Sequence, residues 1–189
     1  MALSADEFPY MNVEDYLALD GAAQSVRYEY IDGRLRMLAG GSPDHSIIAT
    51  NLASILTYAL RKKPCIVYNS DVYFKISEYR YLHPDITIGC DPRDKNRKDN
   101  IQYPRLIVEV LSPSTERTDK GEKLNFYWEY PSIEEYVLID SERKFAEVYH
   151  RDSDTWTSRI YKTGNVMHLQ CIDLEIPLDE VYEKTSLES

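Results

Sequence analysis

Two acidic residues in the middle of the chain are the first candidates for metal binding. Asp85 directly follows Pro84, and Glu109 interrupts an apolar run over residues 106–111. An isolated carboxylate in a buried strand costs several kcal/mol unless a cation, a proton or a metal lies close to it. A divalent ion shared by Asp85 and Glu109 would meet that need, so the sequence predicts a metal site at these two residues.

A lysine on the following helix is the next candidate for chemistry. The pattern predicts a helix from about residue 115 to residue 130, and Pro131 ends it. Three- and four-residue spacing on this helix relates Lys120, Lys123, Leu124, Tyr127 and Trp128. Lys123 therefore borders the apolar stripe that faces the sheet, and its ammonium would point towards the carboxylates. The alternative is a surface ion pair between Lys123 and Asp119, four residues earlier.

The elements that position these residues are predicted from periodicity and capping signals. Asn12 caps a helix to residue 19, Asp32 and Gly33 form a hairpin turn, and Ser42 caps a long helix to residue 63. Strands are predicted at residues 27–31, 35–39, 65–69, 72–76, 85–88, 106–111, 135–139, 145–150 and 155–161, and residues 174–182 as a strand with a short helix.

These elements predict an α/β fold of the mixed α+β kind, with helices packed on a mixed central sheet. The strand–helix–strand passage between residues 106 and 139 predicts a parallel crossover whose two strands are buried on both faces. Such burial would enclose Glu109. The chain has 189 residues, so we expect one domain over residues 1–189.

Apolar segments and cysteines bear on the location of the protein and on its redox state. Neither a basic segment followed by an apolar stretch at the start, nor a run of about 20 apolar residues, is found, so we expect a cytoplasmic protein without a membrane span. The three cysteines, Cys65, Cys90 and Cys171, are widely spaced and odd in number. We expect reduced thiols that contribute to packing.

The charge balance disfavours a protein that coats nucleic acid nonspecifically. The formal net charge is −10, from 22 basic and 32 acidic residues, so the chain as a whole should repel a polyanion. Two local basic patches remain. Residues 61–63 end the long helix, while residues 91–99 mix basic and acidic side chains and are expected to form a solvated, salt-bridged loop.

An ordered series of motifs covers most of the chain: residues 28–35, His45, Pro84 with Asp85, residues 107–115, the set of Asp119, Lys123 and Tyr127, and residues 135–140. With this series the chain resembles the bacterial Uma-two family of endonucleases, formerly a domain of unknown function. That family lies within the PD-(D/E)XK nuclease superfamily.

The resemblance implies a restriction-endonuclease-like core with an N-terminal β-hairpin and C-terminal antiparallel strands. It also implies that Asp85 and Glu109 bind magnesium or manganese, with the Val110 carbonyl as a third ligand. The superfamily pattern would place a lysine two residues after Glu109, where this chain has Leu111. The family moves that lysine to the next helix, and Lys123 fits better than the alternative, Lys120.

The implied activity is metal-dependent hydrolysis of phosphodiester bonds in DNA, with Lys123 orienting water or stabilising the charged transition state. Glu29 is an accessory candidate for a metal contact through water, and His45 for holding a phosphate or supporting a ligand. Because a duplex needs two cuts, a homodimer is expected. Ser112, Ser114 and Thr115 are predicted to cap the helix and not to act as nucleophiles.

A second class of function stays open at this point. A catalytically inactive nuclease fold could serve as a binding or assembly module that uses some of the 16 tyrosines on an acidic surface. The overall acidity and the lack of a recognisable sequence-reading module favour this alternative. It does not explain a charged residue inside the strand that contains Glu109.

Overall fold

A computed structural model of the chain describes residues 10–23, 26–38, 40–98 and 100–188. Three predictions fall on residues outside these ranges: Ala39 at the end of the second hairpin strand, Asp99 in the basic loop, and the features read from the first nine residues. Within the described ranges, no helix is long and apolar enough to cross a bilayer.

The N-terminal elements form where predicted, although the first helix continues three residues past its predicted end at residue 19. Helix α1 spans Val13–Ala22, and the Asn12 side chain accepts a hydrogen bond from the Asp15 amide at 2.8 Å. Strands β1 (Tyr28–Ile31) and β2 (Arg34–Met37) pair as an antiparallel hairpin. Its turn residues Asp32 and Gly33 have φ of 49° and 90°, the positive values that a tight two-residue hairpin requires.

The long helix α2 spans Pro43–Leu60, with the Ser42 hydroxyl accepting from the His45 amide at 3.2 Å. It ends at Leu60, three residues before the predicted end, so Arg61, Lys62 and Lys63 follow it. Its buried face consists of Ile48, Leu52, Leu56 and Leu60, whose spacing of four residues places them on one side.

Eleven further strands and several short helical segments complete the described residues. The strands are β3 (Ile66–Asn69), β4 (Tyr73–Ser77), β5 (Arg80–Leu82), β6 (Ile86–Gly89), β7 (Asn100–Ile101), β8 (Pro104–Leu111), β9 (Glu135–Asp140), β10 (Phe145–Asp152), β11 (Thr155–Lys162), β12 (Val166–Leu169) and β13 (Leu174–Pro177). The helical segments are α3 (Glu116–Thr118), a π-helical segment (Asp119–Lys123), α4 (Leu124–Glu129), a 3₁₀ turn (Gln170–Ile172) and α5 (Leu178–Val181).

The strands form two main sheets and one pair. A six-stranded sheet has the order β11-β10-β9-β8-β6-β3, a five-stranded sheet has the order β2-β1-β5-β4-β7, and β12 pairs with β13. Strands β8 and β9 run parallel, with Glu109 opposite Leu138, which confirms the predicted crossover. The mixed α/β architecture is confirmed as well.

The two faces of β8 contact different parts of the molecule. Leu106, Val108 and Val110 share a core with the buried face of α2. Ile107 and Leu111 share a second core with Tyr127 of α4 and Phe74 of β4. Because side chains alternate along a strand, Glu109 lies on the second face, towards α4 and the five-stranded sheet.

The prediction of three reduced cysteines is wrong. Cys65 and Cys90 form a disulfide, with their Cα atoms 4.0 Å apart. The register of β3 on β6 pairs Ile66 with Gly89, so the two cysteines that flank these residues lie directly opposite each other. The third cysteine, Cys171, is a free and buried thiol.

Candidate active site

The predicted site residues come from both sheets and from the helical segment between β8 and β9. Glu29 lies on β1 of the five-stranded sheet, and Glu109 lies on β8 of the six-stranded sheet. Asp85 lies on the short link between β5 and β6, where the chain passes from one sheet to the other. Asp119 and Lys123 begin and end the π-helical segment that covers this junction. Short π segments occur frequently at functional sites.

Three carboxylates surround the Lys123 ammonium. The Lys123 Nζ lies 2.7 Å from Glu29 Oε1, 3.0 Å from Glu109 Oε1 and 3.2 Å from Asp119 Oδ1. All four side chains are at most 5% exposed. The alternative of a surface ion pair between Asp119 and Lys123 is therefore wrong. We call Glu29, Glu109, Asp119 and Lys123 the carboxylate cluster.

Two buried tyrosines hold the cluster in place. The Tyr127 hydroxyl donates a hydrogen bond to Glu109 Oε1 at 3.0 Å, and the Tyr136 hydroxyl donates to the Asp119 carbonyl oxygen at 3.1 Å. Burial, together with the Glu109 charge, raises the pKa of Tyr127 well above its ordinary value, so this hydroxyl keeps its proton. The tyrosine-rich composition thus contributes to the interior of the protein as well as to its surface.

The cluster carries more negative charge than its lysine can balance. Burial raises the pKa of Glu109 well above its ordinary value, and although Lys123 opposes this, Asp119, Asp85 and Glu29 raise it further. Burial would lower the pKa of Lys123, but the three carboxylates raise it well above its ordinary value. The lysine therefore stays an ammonium, while mutual repulsion favours uptake of a proton or a cation by the carboxylates.

Asp85 lies beside the cluster and is fixed by the strand that contains Glu109. The Val110 amide donates to Asp85 Oδ2 at 2.7 Å, and His45 Nε2 lies 3.5 Å from the same oxygen. Burial alone would lower the pKa of His45, but Asp85 and the nearby Val110 carbonyl oxygen raise it. The His45 imidazole therefore lies beside two of the three predicted metal ligands.

The sequence did not single out His83, which also borders the site. Its Nδ1 donates to the Ser70 carbonyl oxygen at 2.8 Å. Burial lowers the pKa of His83, although Asp20, whose Oδ1 lies 3.7 Å from Nε2, acts against this. Among the described residues, neither His83 Nε2 nor the buried Glu29 Oε2 has a hydrogen-bond partner. The signal for His83 was its position two residues before Asp85, on the same side of an extended chain.

Other candidates lie outside the cluster. Lys120 Nζ pairs with Glu116 at 2.6 Å, and its side chain is 32% exposed. The Ser112 hydroxyl bonds to the hydroxyls of Ser114 and Thr115. Thr115 takes the N-cap position of α3, but its side chain makes no hydrogen bond to the helix. These residues therefore precede the helix as predicted, but the predicted hydroxyl cap does not form.

A cavity of about 300 Å³ opens over the cluster. Its lining includes Asp85, Glu109, Asp119, Lys123 and the Val110 backbone, with both His45 and His83 at its walls. In the described part of the chain, no three histidine, cysteine, aspartate or glutamate side chains are arranged to hold a metal by themselves. The predicted set needs only two carboxylates, with a carbonyl oxygen and water completing the shell, as is usual for magnesium.

The fold is that of a restriction-endonuclease-like nuclease. It is similar to the crystal structure of "a putative nuclease belonging to DUF820" from Anabaena variabilis, with a TM-score of 0.76 over 91% of this chain and 97% of that one. Sequence identity to it is 14%, so this likeness concerns the fold alone.

Within that fold class, the chain belongs to the Uma2 (Uma-two) family, described as "Putative restriction endonuclease", whose family model matches residues 13–179. The protein slr1290 of Synechocystis sp., described as uncharacterized, is 35% identical over 177 residues, which are 93% of each chain. A second Synechocystis protein, sll1609, has the same description and is 31% identical over 147 residues, 76% of this chain and 82% of its own length.

Proposed function

We propose that this protein is a divalent-metal-dependent endonuclease that hydrolyses phosphodiester bonds in DNA. The observation that carries the proposal is the charge of the cluster: three buried carboxylates share one ammonium, and Asp85 lies beside them. If ionised, the three carboxylates and Lys123 sum to a formal charge of −2. A divalent cation would neutralise that excess, and hard oxygen ligands suit magnesium or manganese.

Asp85, Glu109 and the Val110 carbonyl are the residues that would hold the cation. Glu109 lines the cavity, and its Oε1 accepts hydrogen bonds from Lys123 and Tyr127, so Oε2 is the oxygen that these two contacts leave for a cation. Asp85 Oδ2 accepts a hydrogen bond from the Val110 amide, so Oδ1 is the oxygen that this bond leaves for the cation. When bound, a divalent ion lowers the pKa of water and offsets charge on the phosphodiester.

The remaining residues have roles that follow from their positions. Lys123 brings a fixed positive charge to the cavity, where it would orient the attacking water and stabilise the charge that develops on the phosphate oxygens. Tyr127 is a positioning residue that fixes Glu109. His45, with its raised pKa, would donate to a phosphate oxygen, and Glu29 would hold a water molecule through Oε2. Lys120 is the weaker lysine candidate because it is engaged by Glu116.

The family and the nuclease fold support this function. The homodimer and the cytoplasmic location stay predictions from the sequence. A binding or assembly module without catalysis is the competing outcome of the experiment that follows.

A plasmid-nicking assay of the wild type and of Asp85→Asn tests the proposal. We expect nicking of supercoiled DNA in Mg²⁺ or Mn²⁺ and none in EDTA, with a loss of about a hundredfold or more in Asp85→Asn, because the substitution removes a charged metal ligand.

The matched control is Asp91→Asn. Like Asp85, Asp91 is partly exposed and accepts a hydrogen bond from a backbone amide, that of Arg93 at 2.8 Å. It lies just beyond the end of β6 that is opposite to Asp85. The Asp91→Asn variant should nick DNA at the wild-type rate. A wild type that leaves the plasmid intact with both metals, or an Asp85→Asn variant as active as the wild type, would contradict the proposal.

A further inference from the structure

A larger cavity of about 840 Å³ continues from the candidate active site along helix α2. The two cavities share Gly41, His45, Ser70 and Asp85 in their linings. From this shared end, the larger cavity follows one exposed face of the helix as far as Arg61. We call this cavity the α2 groove. A ligand that lies in the groove would therefore reach Asp85 and the cluster without leaving the protein surface.

The groove lies in a part of the chain that is free of acidic residues. Residues 45–70 contain no aspartate or glutamate, although the whole chain has 32 of them. The same segment contains Arg61, which lines the groove, and Lys62 and Lys63, which follow it; the Lys63 ammonium donates to the Ile172 carbonyl oxygen at 2.6 Å. The formal charge of the segment is +3 with His45 neutral, in a chain of net charge −10. Among the described residues that line the groove, Asp85 is the one carboxylate. This charge distribution suits a polyanion at this face and disfavours it elsewhere.

The side chains along the groove are of the kinds that contact a nucleic-acid backbone. They recur at three- and four-residue spacing and are Ser46, Thr50, Ser54, Thr57, Tyr58 and Arg61. The Ser54 hydroxyl donates to the Thr50 carbonyl oxygen at 2.8 Å, whereas Ser46, Thr50 and Thr57 are exposed residues whose hydroxyls can reach phosphate oxygens in the groove. Serine, threonine and arginine side chains are common phosphate ligands.

The far end of the groove offers an aromatic surface. Tyr58 is 70% exposed, and the Arg61 guanidinium carbon lies 3.8 Å from the centre of its ring. An exposed ring beside a cation is the arrangement on which unpaired bases stack. From Ser46 to Arg61 the helix rises about 22 Å, which is the rise of roughly six nucleotides of one strand.

We propose that the α2 groove binds the nucleic-acid strand on one side of the bond that is cut, with hydroxyls and Arg61 on its phosphates and Tyr58 stacked on a base. This inference rests on the proposed function, because it takes the carboxylate cluster as the place of cleavage. The inference adds a substrate-binding surface that is formed mainly by residues 45–70, the segment without aspartate or glutamate.

The test measures binding of fluorescently labelled oligonucleotides of about 12 nucleotides, single-stranded and duplex, by anisotropy in EDTA at low salt. We expect Arg61→Glu to raise the Kd about tenfold and to reduce the slope of log Kd against log salt by roughly 0.7 to 0.9. Tyr58→Ala should raise the Kd for the single strand by about fivefold to a hundredfold, and Tyr58→Phe should restore most of the affinity, since phenylalanine keeps the stacking surface.

Arg159→Glu is the matched control. It makes the same charge change at an exposed arginine of β11, the strand at the opposite edge of the six-stranded sheet from β3 and the groove. Its Kd should stay at the wild-type value. The proposal that the α2 groove binds nucleic acid would be overturned by equal Kd values for Arg61→Glu and Arg159→Glu, or by a wild type that binds neither oligonucleotide.

The same variants separate this inference from the proposed function. If the wild type binds the oligonucleotides through Arg61 and Tyr58 but does not nick DNA in Mg²⁺ or Mn²⁺, nucleic-acid binding by the groove is supported and the endonuclease proposal is contradicted. If Arg61→Glu nicks DNA with the wild-type KM and kcat, the endonuclease proposal is supported and binding of the substrate by the groove is contradicted.

Discussion

Replacing Glu109 by glutamine is expected to lower the rate of plasmid nicking about a thousandfold without loss of the fold. Glutamine keeps the shape of the side chain, and its amide oxygen can still accept from Lys123 and Tyr127. It removes the negative charge, which a metal ligand needs. Because the raised pKa of Glu109 shows that its charge is costly to bury, the free energy of unfolding should stay equal or rise.

The initial nicking rate and a urea unfolding curve on the same preparation check both parts of this prediction. Glu116→Gln serves as the control, because Glu116 also pairs with a lysine but does so at 47% exposure, away from the cluster. It should leave the nicking rate unchanged. A Glu109→Gln variant that nicks at the wild-type rate would remove Glu109 from the catalytic set.

Replacing Lys123 by methionine is expected to lower the free energy of unfolding by about 3–5 kcal/mol in metal-free buffer. The substitution leaves Glu29, Glu109 and Asp119 buried without their shared ammonium, and breaking a buried ion pair from one side has a cost of this size. Nicking should be lost as well, because the positive charge at the cavity is gone. Urea unfolding followed by circular dichroism measures the first effect.

Two comparisons make this prediction specific. Lys120→Met, which removes a partly exposed lysine from the same helical region, should lower the free energy of unfolding by no more than about 0.5 kcal/mol. Adding Glu29→Gln to Lys123→Met should restore part of the stability, since one unpaired carboxylate is removed. Equal unfolding midpoints for Lys123→Met and Lys120→Met would show that the buried network does not depend on its lysine.

Elements with strong local signals could be predicted from the sequence. Helix α2 has a capping serine, a proline at its first position and apolar residues four apart, and it forms where predicted except for its last turn. Strand β8 combines an apolar run with one acidic residue, which indicated both burial and a site. The parallel crossover followed from these two facts, because a buried strand, a helix and a second apolar strand leave few other arrangements.

Features that depend on pairing between distant segments could not be predicted. Strands β5 and β7 have three and two residues, too few for a period, and they are strands because their neighbours in the five-stranded sheet pair with them. The disulfide depends on the register of β3 against β6, which a separation of 25 residues does not reveal. The π-helical segment, which brings Asp119 into the cluster, depends likewise on tertiary packing.

The site residues likewise include some that local sequence signals reveal and others that only the fold brings together. Glu109 and Lys123 could be singled out because each departs from its local pattern, as a charge in an apolar run and as a lysine beside an apolar stripe. A charge after a proline is a weak signal by itself, and Asp85 was singled out mainly by the ordered series of motifs that carries the resemblance. Nothing local showed that Glu29 would contact the same ammonium, because it lies on the other sheet, 94 residues from Lys123. Its position was suggested by the resemblance, and the distances come from the fold.

The proposed function requires that the carboxylate cluster, together with Asp85, binds a divalent cation, and calorimetric titration of Mn²⁺ measures this binding. The wild type should bind one ion, and the double variant Asp85→Asn with Glu109→Gln should bind none while it stays folded by circular dichroism. A wild type that takes up no ion would contradict the proposed function, because Lys123 and protons would then neutralise the cluster without a metal. Equal binding by both proteins would place the ion elsewhere.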